Sequence, residues 1–204
     1  LRASATASVS GVILAAGLSR RFGREKLLFP LAGRPLGRRA VEAALASRLD
    51  QVILVTRPEL AGELSARGDR LEVVLNPRPQ EGQSLSLRLG LAAVSVGASH
   101  ALFLLADQPL VGPELIERFL AAAEAGAELA ACRSGEGLGP PSLFSRAYFQ
   151  ELGRLEGDQG GRSLLWGRRE QVILIEPDQA GVLADVDEFE DVRRLARRLG
   201  EDAS

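Results

Sequence analysis

The sequence predicts an α/β fold in which a mostly parallel sheet is covered by helices on both faces. Three observations carry that expectation. Four short apolar runs, VSGVILA (Val9–Ala15), QVILVT (Gln51–Thr56), LEVVL (Leu71–Leu75) and ALFLLA (residues 101–106), have the near-continuous hydrophobicity of strands buried on both sides. The segments between them repeat apolar residues at three and four, as helices do. Each strand–helix–strand step is long enough for a right-handed crossover, which makes neighbouring strands parallel.

Taken in order, the first strand ends at Gly17 in a Gly/Arg-rich loop that runs to Pro30. Residues 35–47 form a helix with Leu36, Ala40, Ala44 and Leu45 on one face. Gln51–Thr56 is the second strand, and Pro58 opens a helix at its first turn, where its missing N–H costs nothing. Leu71–Leu75 is the third strand, residues 84–98 a helix, residues 101–106 the fourth strand, and Pro113 starts a helix reaching Ala125. Beyond Glu128 the elements shorten. Strands at 129–133 and 142–145 flank a loop, SGEGLGPP; helices follow at 147–155 and 162–167, then a strand at 171–175 and a closing helix at 188–199. No linker, low-complexity stretch or repeat interrupts the chain. The expected organisation is a flexible segment at 1–8 and a single domain at 9–200, with a small additional β/α lobe at about 130–168.

Composition narrows the function classes. A chain of 204 residues buries roughly 70% of its unfolded surface, so it folds without disulfides or a structural metal. A net charge of −2 and an aromatic content of 4% speak against a general nucleic-acid surface. A lone cysteine, Cys132, forms no internal disulfide and suits a reducing cytoplasm. No apolar run approaches the roughly 18 residues of a membrane span, and the first ten residues lack a secretory apolar region. The expectations are therefore a cytoplasmic location, no membrane and no nucleic acid. The basic residues are uneven: 24 are Arg and one is Lys, Lys26. Where Arg serves every ordinary positive surface, a single compact ammonium marks either a chance survivor or a site needing a point charge.

Lys26 lies in LAAGLSRRFGREK, the loop after the first strand, where ligands bind in sheets of this kind. Gly17 and Gly23 fit neither a dinucleotide fingerprint nor a Walker A loop. Between residues 20 and 39 seven cationic side chains, among them Arg20, Arg21 and Arg24, meet one Glu. A glycine turn with such a cluster makes either a phosphate cradle or a solvated basic face, and its position favours the cradle. Asp107 follows the fourth strand too far from Pro113 to cap that helix. It makes either an Asx turn or, the favoured reading, a carboxylate ligand for Mg²⁺. In LADVDEFED, Asp187 and Glu190 have capping-box spacing, which leaves Asp185 as the freer metal ligand. Ser84 is expected to cap its helix, and Gly82, Gln83, Ser84 and Ser86 to bring donors to a base or ribose, with Arg88 a weaker candidate. Cys132 reads as a buried inert thiol, His100 as structural, and Trp166 and Tyr148 as packing residues.

With these motifs in place the chain resembles the MobA-like nucleotidyltransferase family from about Val12 to Leu199. LAAGLSRRFGREKLL is similar to its LAAGxSxRMGxxK signature, with Phe22 for Met. ADQP resembles its D-x-P segment, and DVDEFEDV its closing D-I-D-T-P-E-D-L, with Glu188-Phe189 for Thr-Pro. The LAAG spelling and GDQGGRSLL resemble the branch of molybdenum cofactor cytidylyltransferases, although Gly139-Pro140 stands where that branch has Gly-His. The resemblance implies a Rossmann-like three-layer α/β/α nucleotidyltransferase fold and Mg²⁺-dependent transfer of CMP from CTP to a molybdopterin-type cofactor, with pyrophosphate released and a molybdoenzyme or its chaperone as a further partner. It implies Lys26, Arg21 and Asp107 as catalytic residues and Asp107 and Asp185 as metal ligands. Leu14, Ala15, Ala16, Gly17, Lys26, Asn76, Gly82, Gln83, Ser84 and Ser86 would bind nucleotide, and Gly139, Pro140, Asp158 and Arg162 the acceptor. Two other readings stay open: transfer to a different phosphorylated acceptor such as a sugar or polyol phosphate, and a non-catalytic module that hands on cofactor.

Overall fold

A computed structural model describes residues 7–19, 22–134 and 137–198. Strand β1 (Val9–Ala15) leads into the first loop, where a 3-10 turn at Lys26–Leu28 and a two-strand ribbon, β2 (Pro30–Leu31) with β3 (Arg34–Pro35), precede α1 (Leu36–Ala46). Then come β4 (Gln51–Thr56), a short α2 (Ala61–Leu64), β5 (Leu71–Leu75), α3 (Gln83–Ala93), β6 (His100–Leu105) and α4 (Pro113–Glu124). The second half contributes β7 (Leu129–Ser134), β8 (Gly137–Ser145), α5 (Phe149–Leu152), α6 (Arg162–Gly167), β9 (Ile173–Leu174) and α7 (Phe189–Arg198).

The main sheet has the order β5-β4-β1-β6-β8-β7-β9. Its first four strands are mutually parallel, as the apolar runs predict. β8 runs antiparallel to both β6 and β7, and β9 returns parallel to β7. Two cores lie on the two faces, and β1 shows why both are needed. Ile13 belongs to one core with Val41 of α1, Phe119 of α4 and Leu195 of α7, whereas its neighbour Val12 joins Leu87, Tyr148 and Leu165 on the other face. Both strand residues are fully buried, and side chains of their size contribute about 1.5–3 kcal/mol each by leaving water. On the second face α3 comes so close that a Cβ at Gly90 would lie 2.3 Å from Val12 Cγ1, so only glycine allows the approach.

Several elements differ from expectation; the helix expected at 147–155, for one, is reduced to α5 behind a 3-10 turn. The segment read as a loop at 134–141 holds the first half of β8, whose Leu138 and Gly139 pair with Arg133 and Cys132. Gly and Pro normally weaken a strand, but here pairing with β7 carries the segment, and β6 joins only from Ser142 onward. α3 stops at Ala93, where Val94 turns extended and a turn closes from Ala98 N–H to Ser95 O. Pro58 opens a 3-10 turn before the four-residue α2, and the strand expected at 171–175 shrinks to β9. Trp166, expected to pack, is 51% exposed, whereas Tyr148 and Cys132 are buried. Among the described residues no helix is long and apolar enough to cross a membrane.

Candidate active site

The carboxyl ends of β1 and β6 and the segment before α7 converge on Lys26. Glu25 starts the 3-10 turn that carries it, accepting from Leu27 N–H at 3.2 Å and from Ser19 Oγ at 3.0 Å. An ion pair to Arg57, at the end of β4, fixes Glu25 in turn. Lys26 Nζ then donates to Asp107 Oδ2 at 2.7 Å, to the Val186 carbonyl at 2.8 Å and to Asp187 Oδ1 at 3.3 Å. A backbone bond from Val186 N–H to Asp107 O, 3.0 Å, ties the closing segment to β6. Burial alone would lower the Lys26 pKa. The Asp107 charge and hydrogen bond, followed by those of Asp187, more than offset this, and the net shift is upward. Lys26 is therefore a permanent cation in the cleft.

Asp185 stands on the other side of this centre. Although the residue as a whole meets solvent, its carboxylate is partly withdrawn from water, and that withdrawal, then the Asp107 charge, raise its pKa. Gln108 holds it in place: its amide donates to Asp185 Oδ1 at 2.9 Å and to Leu183 O at 3.3 Å. Gln108 is 4% exposed, and its Oε1 finds no partner.

Two adjoining cavities open here. The first, about 360 Å³, is lined by Leu14, Ala15, Ala16, Gly17, Lys26 and Asp107, and across from them by Gly82, Gln83, Ser86 and Asp158. The second, about 210 Å³, is lined by Gly139, Pro140, Ser142 and Arg162 together with Gln108 and Asp185. Leu14, Gln83 and Leu105 line both. The wall opposite β1 depends on Gly82. Its φ of +94° suits only glycine, and a Cβ there would lie 2.3 Å from Gly157 O. This contact, with Ser84 N–H donating to Gly157 O at 3.0 Å, sets the start of α3 against the 157–158 loop.

Most of the sequence-predicted residues thus meet in one place, with particular exceptions. Asn76 and Ser84 do not line the first cavity. Both are fully buried; Asn76 donates to Ser86 Oγ and accepts from Arg78 N–H, so it supports the lining from behind. Ser84 does not cap α3: Gly82 is the N-cap, and Ser84 Oγ has no partner. Asp158 lines the first cavity and not the second, although it shares a third, open cavity with Arg162. The capping box of Asp187 with Glu190 does not form. Asp191 accepts from Glu188 N–H at 2.9 Å and Asp187 N–H at 3.1 Å instead, and this frees Asp187 for Lys26. Nor is the basic run one surface. Arg34 and Arg38 pair with Glu42, and Arg39 reaches Pro109 O. Arg20 and Arg21 lie outside the described residues. Reading the sequence missed Gln108, although it adjoins Asp107 and is a polar residue on an apolar strand's end.

His100 and Cys132 stay outside the site. His100 is buried, with Nε2 3.1 Å from Ala127 O, and burial lowers its pKa. Burial likewise pushes the Cys132 thiol up to about 12, which removes it as a nucleophile. Asp107 and Asp185 are hard oxygen donors of the kind Mg²⁺ takes one or two at a time. The mutual charge that raises Asp185 is what a divalent ion would relieve, so the pair fits such a cation. Among the described residues no group of three His, Cys, Asp or Glu forms a cage, so such an ion would draw its remaining ligands from water and substrate.

Comparison with known proteins accords with this geometry. A family model described as the MobA-like NTP transferase domain matches residues 11–172. The purine catabolism protein PucB of Bacillus subtilis is 34% identical over 197 residues, covering 90% of this chain and 95% of its own. A probable molybdenum cofactor guanylyltransferase of Mycobacterium avium is 31% identical, with coverage of 93% and 95%. The crystal structure of Rv0371c from Mycobacterium tuberculosis superposes with a TM-score of 0.80 at 34% identity, covering 94% of this chain and 99% of that one. Rv0371c has also been solved in complex with manganese.

Proposed function

The chain belongs to the MobA-like NTP transferase family and is therefore a nucleotidyltransferase, and we propose that it moves CMP from CTP onto a molybdopterin-type acceptor with Mg²⁺ as the metal. The observation that carries this reading is the placement of Lys26, Asp107 and Asp185 at the junction of two cavities, one for each substrate. In the first, the loop amides around Ala16 and Gly17 and the Lys26 ammonium bind the triphosphate, while Gln83 and Ser86 face the nucleoside. Arg21 adds a further positive charge. In the second, Arg162 binds the acceptor's phosphate, and Gly139 and Pro140 border its ring system. Asp107 and Asp185 would hold Mg²⁺, which when bound neutralises charge at the α-phosphoryl group.

An acceptor phosphate oxygen bonds to the α-phosphorus, the bond from that phosphorus to the bridging oxygen breaks, and pyrophosphate leaves. A phosphate monoester has its second pKa near 6, so it arrives ionised and needs no general base. That agrees with a site without histidine. Lys26 and the loop amides contribute by orienting the reactants and offsetting developing charge.

Support for CTP comes from the LAAG and GDQGGRSLL spellings. The guanylyltransferase name of the Mycobacterium avium relative favours a second reading, GTP as donor. The deciding experiment measures pyrophosphate release from CTP, GTP, ATP and UTP, each with Mg²⁺ and with or without a molybdopterin acceptor. Acceptor-dependent release from CTP is expected. Release from GTP alone favours the second reading, and release from no nucleotide refutes both.

A further inference from the structure

Three phenylalanine rings join two segments from opposite ends of the chain. Phe22 and Phe29 flank Lys26 in the first loop, and Phe189 opens α7. Phe29 and Phe189 meet edge to face with centroids 5.4 Å apart; Phe22 lies 6.0 Å from Phe29 and 6.4 Å from Phe189. Arg24 covers two of the rings, its guanidinium carbon 5.2 Å from the Phe29 centroid and 5.4 Å from that of Phe189. Arg193 lies over Phe189 at 5.0 Å. Among the described residues Arg24 has no carboxylate partner, so its charge rests against ring faces. Phe22 and Phe189 are also among the positions where the two family-like motifs depart from their pattern, and here their rings lie side by side.

The rings are not needed to seat α7, which buries Val192, Leu195 and Ala196 against the main core. Phe189 itself is 39% exposed. What the cluster adds is a link between the loop that carries Lys26 and the segment that carries Asp185 and Asp187. Among the described residues the side-chain hydrogen bonds between these two segments are those from Lys26 to Val186 O and Asp187. Those bonds lie in the cleft, where an incoming cation or phosphate competes for the same groups. The aromatic contacts involve no cleft oxygen, so no such ligand competes for them.

We propose that Phe22, Phe29 and Phe189 form a clasp that keeps the Lys26 loop in register with the Asp185–Asp187 segment, and that Phe189 is its positioning residue. Its consequence for substrate binding rests on the function proposed above: the clasp holds the register when the Lys26 contacts are exchanged for nucleotide and metal. Site geometry of this kind tolerates only a few tenths of an ångström.

The test has two arms. In the ligand-free protein, amide hydrogen exchange is followed at Phe29 and Leu36, whose N–H groups bond to Lys26 O at 3.1 Å and Phe29 O at 2.9 Å. Phe189→Ala should accelerate both several-fold, Phe189→Tyr should restore protection, and Phe189→Leu, apolar but without a ring, should not. Unchanged exchange in Phe189→Ala, or full rescue by Leu, overturns the clasp. In the second arm, titration calorimetry with CTP and with GTP, each with Mg²⁺, should show about a ten-fold loss of affinity in Phe189→Ala. Phe22→Ala should match it, and the double variant should lose little more than either alone. Fully additive losses overturn the coupling. If the unmodified protein binds neither nucleotide while the exchange result holds, the proposed function fails and the clasp stands.

Discussion

Replacing Asp107 with Asn keeps the shape of the side chain and removes its charge, so it separates electrostatics from packing. Two effects on stability oppose each other. The 2.7 Å bond to Lys26, between side chains that are 12% and 23% exposed, keeps an acceptor oxygen but loses its ion pairing, which removes part of a contact worth roughly 1.5–3 kcal/mol. Against this, Asp185 loses the neighbouring negative charge that, after its withdrawal from water, helps to raise its pKa, which returns part of that cost. The net cost is therefore on the order of 1 kcal/mol, a fall in Tm of roughly 2–4 °C for a chain of this size. Catalysis has no such compensation. Removing one charged contact to the transition state typically costs about 3 kcal/mol, or 10²–10³ in rate. Pyrophosphate release at saturating nucleotide and Mg²⁺, measured beside a thermal melt, should show that loss in a folded protein. Turnover within ten-fold of the unmodified enzyme would refute the role of Asp107, and a loss matched by the unfolded fraction would reduce it to a structural one.

The closing segment and the one histidine give further expectations. Asp191→Ala should destabilise the protein by about 1 kcal/mol through the lost cap of α7 and leave turnover nearly intact, whereas Asp187→Asn should lower turnover several-fold with little effect on melting. The reverse pattern would restore the cap to Asp187. For His100 the unfolded chain takes up its proton near pH 6.5 and the folded one only at lower pH, so its contribution to stability is present above 6.5 and is lost on acidification through that window. Urea midpoints from pH 7.5 to 5 should therefore fall less in His100→Gln than in the unmodified protein; parallel curves would show that His100 titrates alike in both states.

How much of this was legible beforehand follows from the range of the interactions. β1, β4, β5 and β6 are continuous apolar runs, and burial on both faces writes that pattern locally. Lys26 and Asp107 stood out because each is unusual within its own segment. The first half of β8 could not be read in this way: Gly137, Gly139, Pro140 and Pro141 suggest a turn, and antiparallel pairing with the preceding β7 overrides them. The cap of α7 was misplaced because spacing alone cannot tell which of Asp187 and Asp191 is claimed by a distant ammonium. Ser84 failed as a cap because α3 starts one residue earlier, at Gln83 with Gly82 as its N-cap, where the close approach of Gly157, far along the chain, requires a glycine. Gln108 and the three-ring contact of Phe22, Phe29 and Phe189 are invisible until the chain ends are brought together.

The shared partition between the two cavities has a consequence for how such an enzyme diversifies. One chamber takes its lining chiefly from β1, the Lys26 loop and the start of α3; the other draws mainly on β8 and α6, and only Leu14, Gln83 and Leu105 belong to both. Substitutions on β8 and α6 can therefore reshape one compartment while the opposite one keeps its walls. On the proposed assignment of the chambers, a lineage can change what it modifies without relearning how it grips its donor.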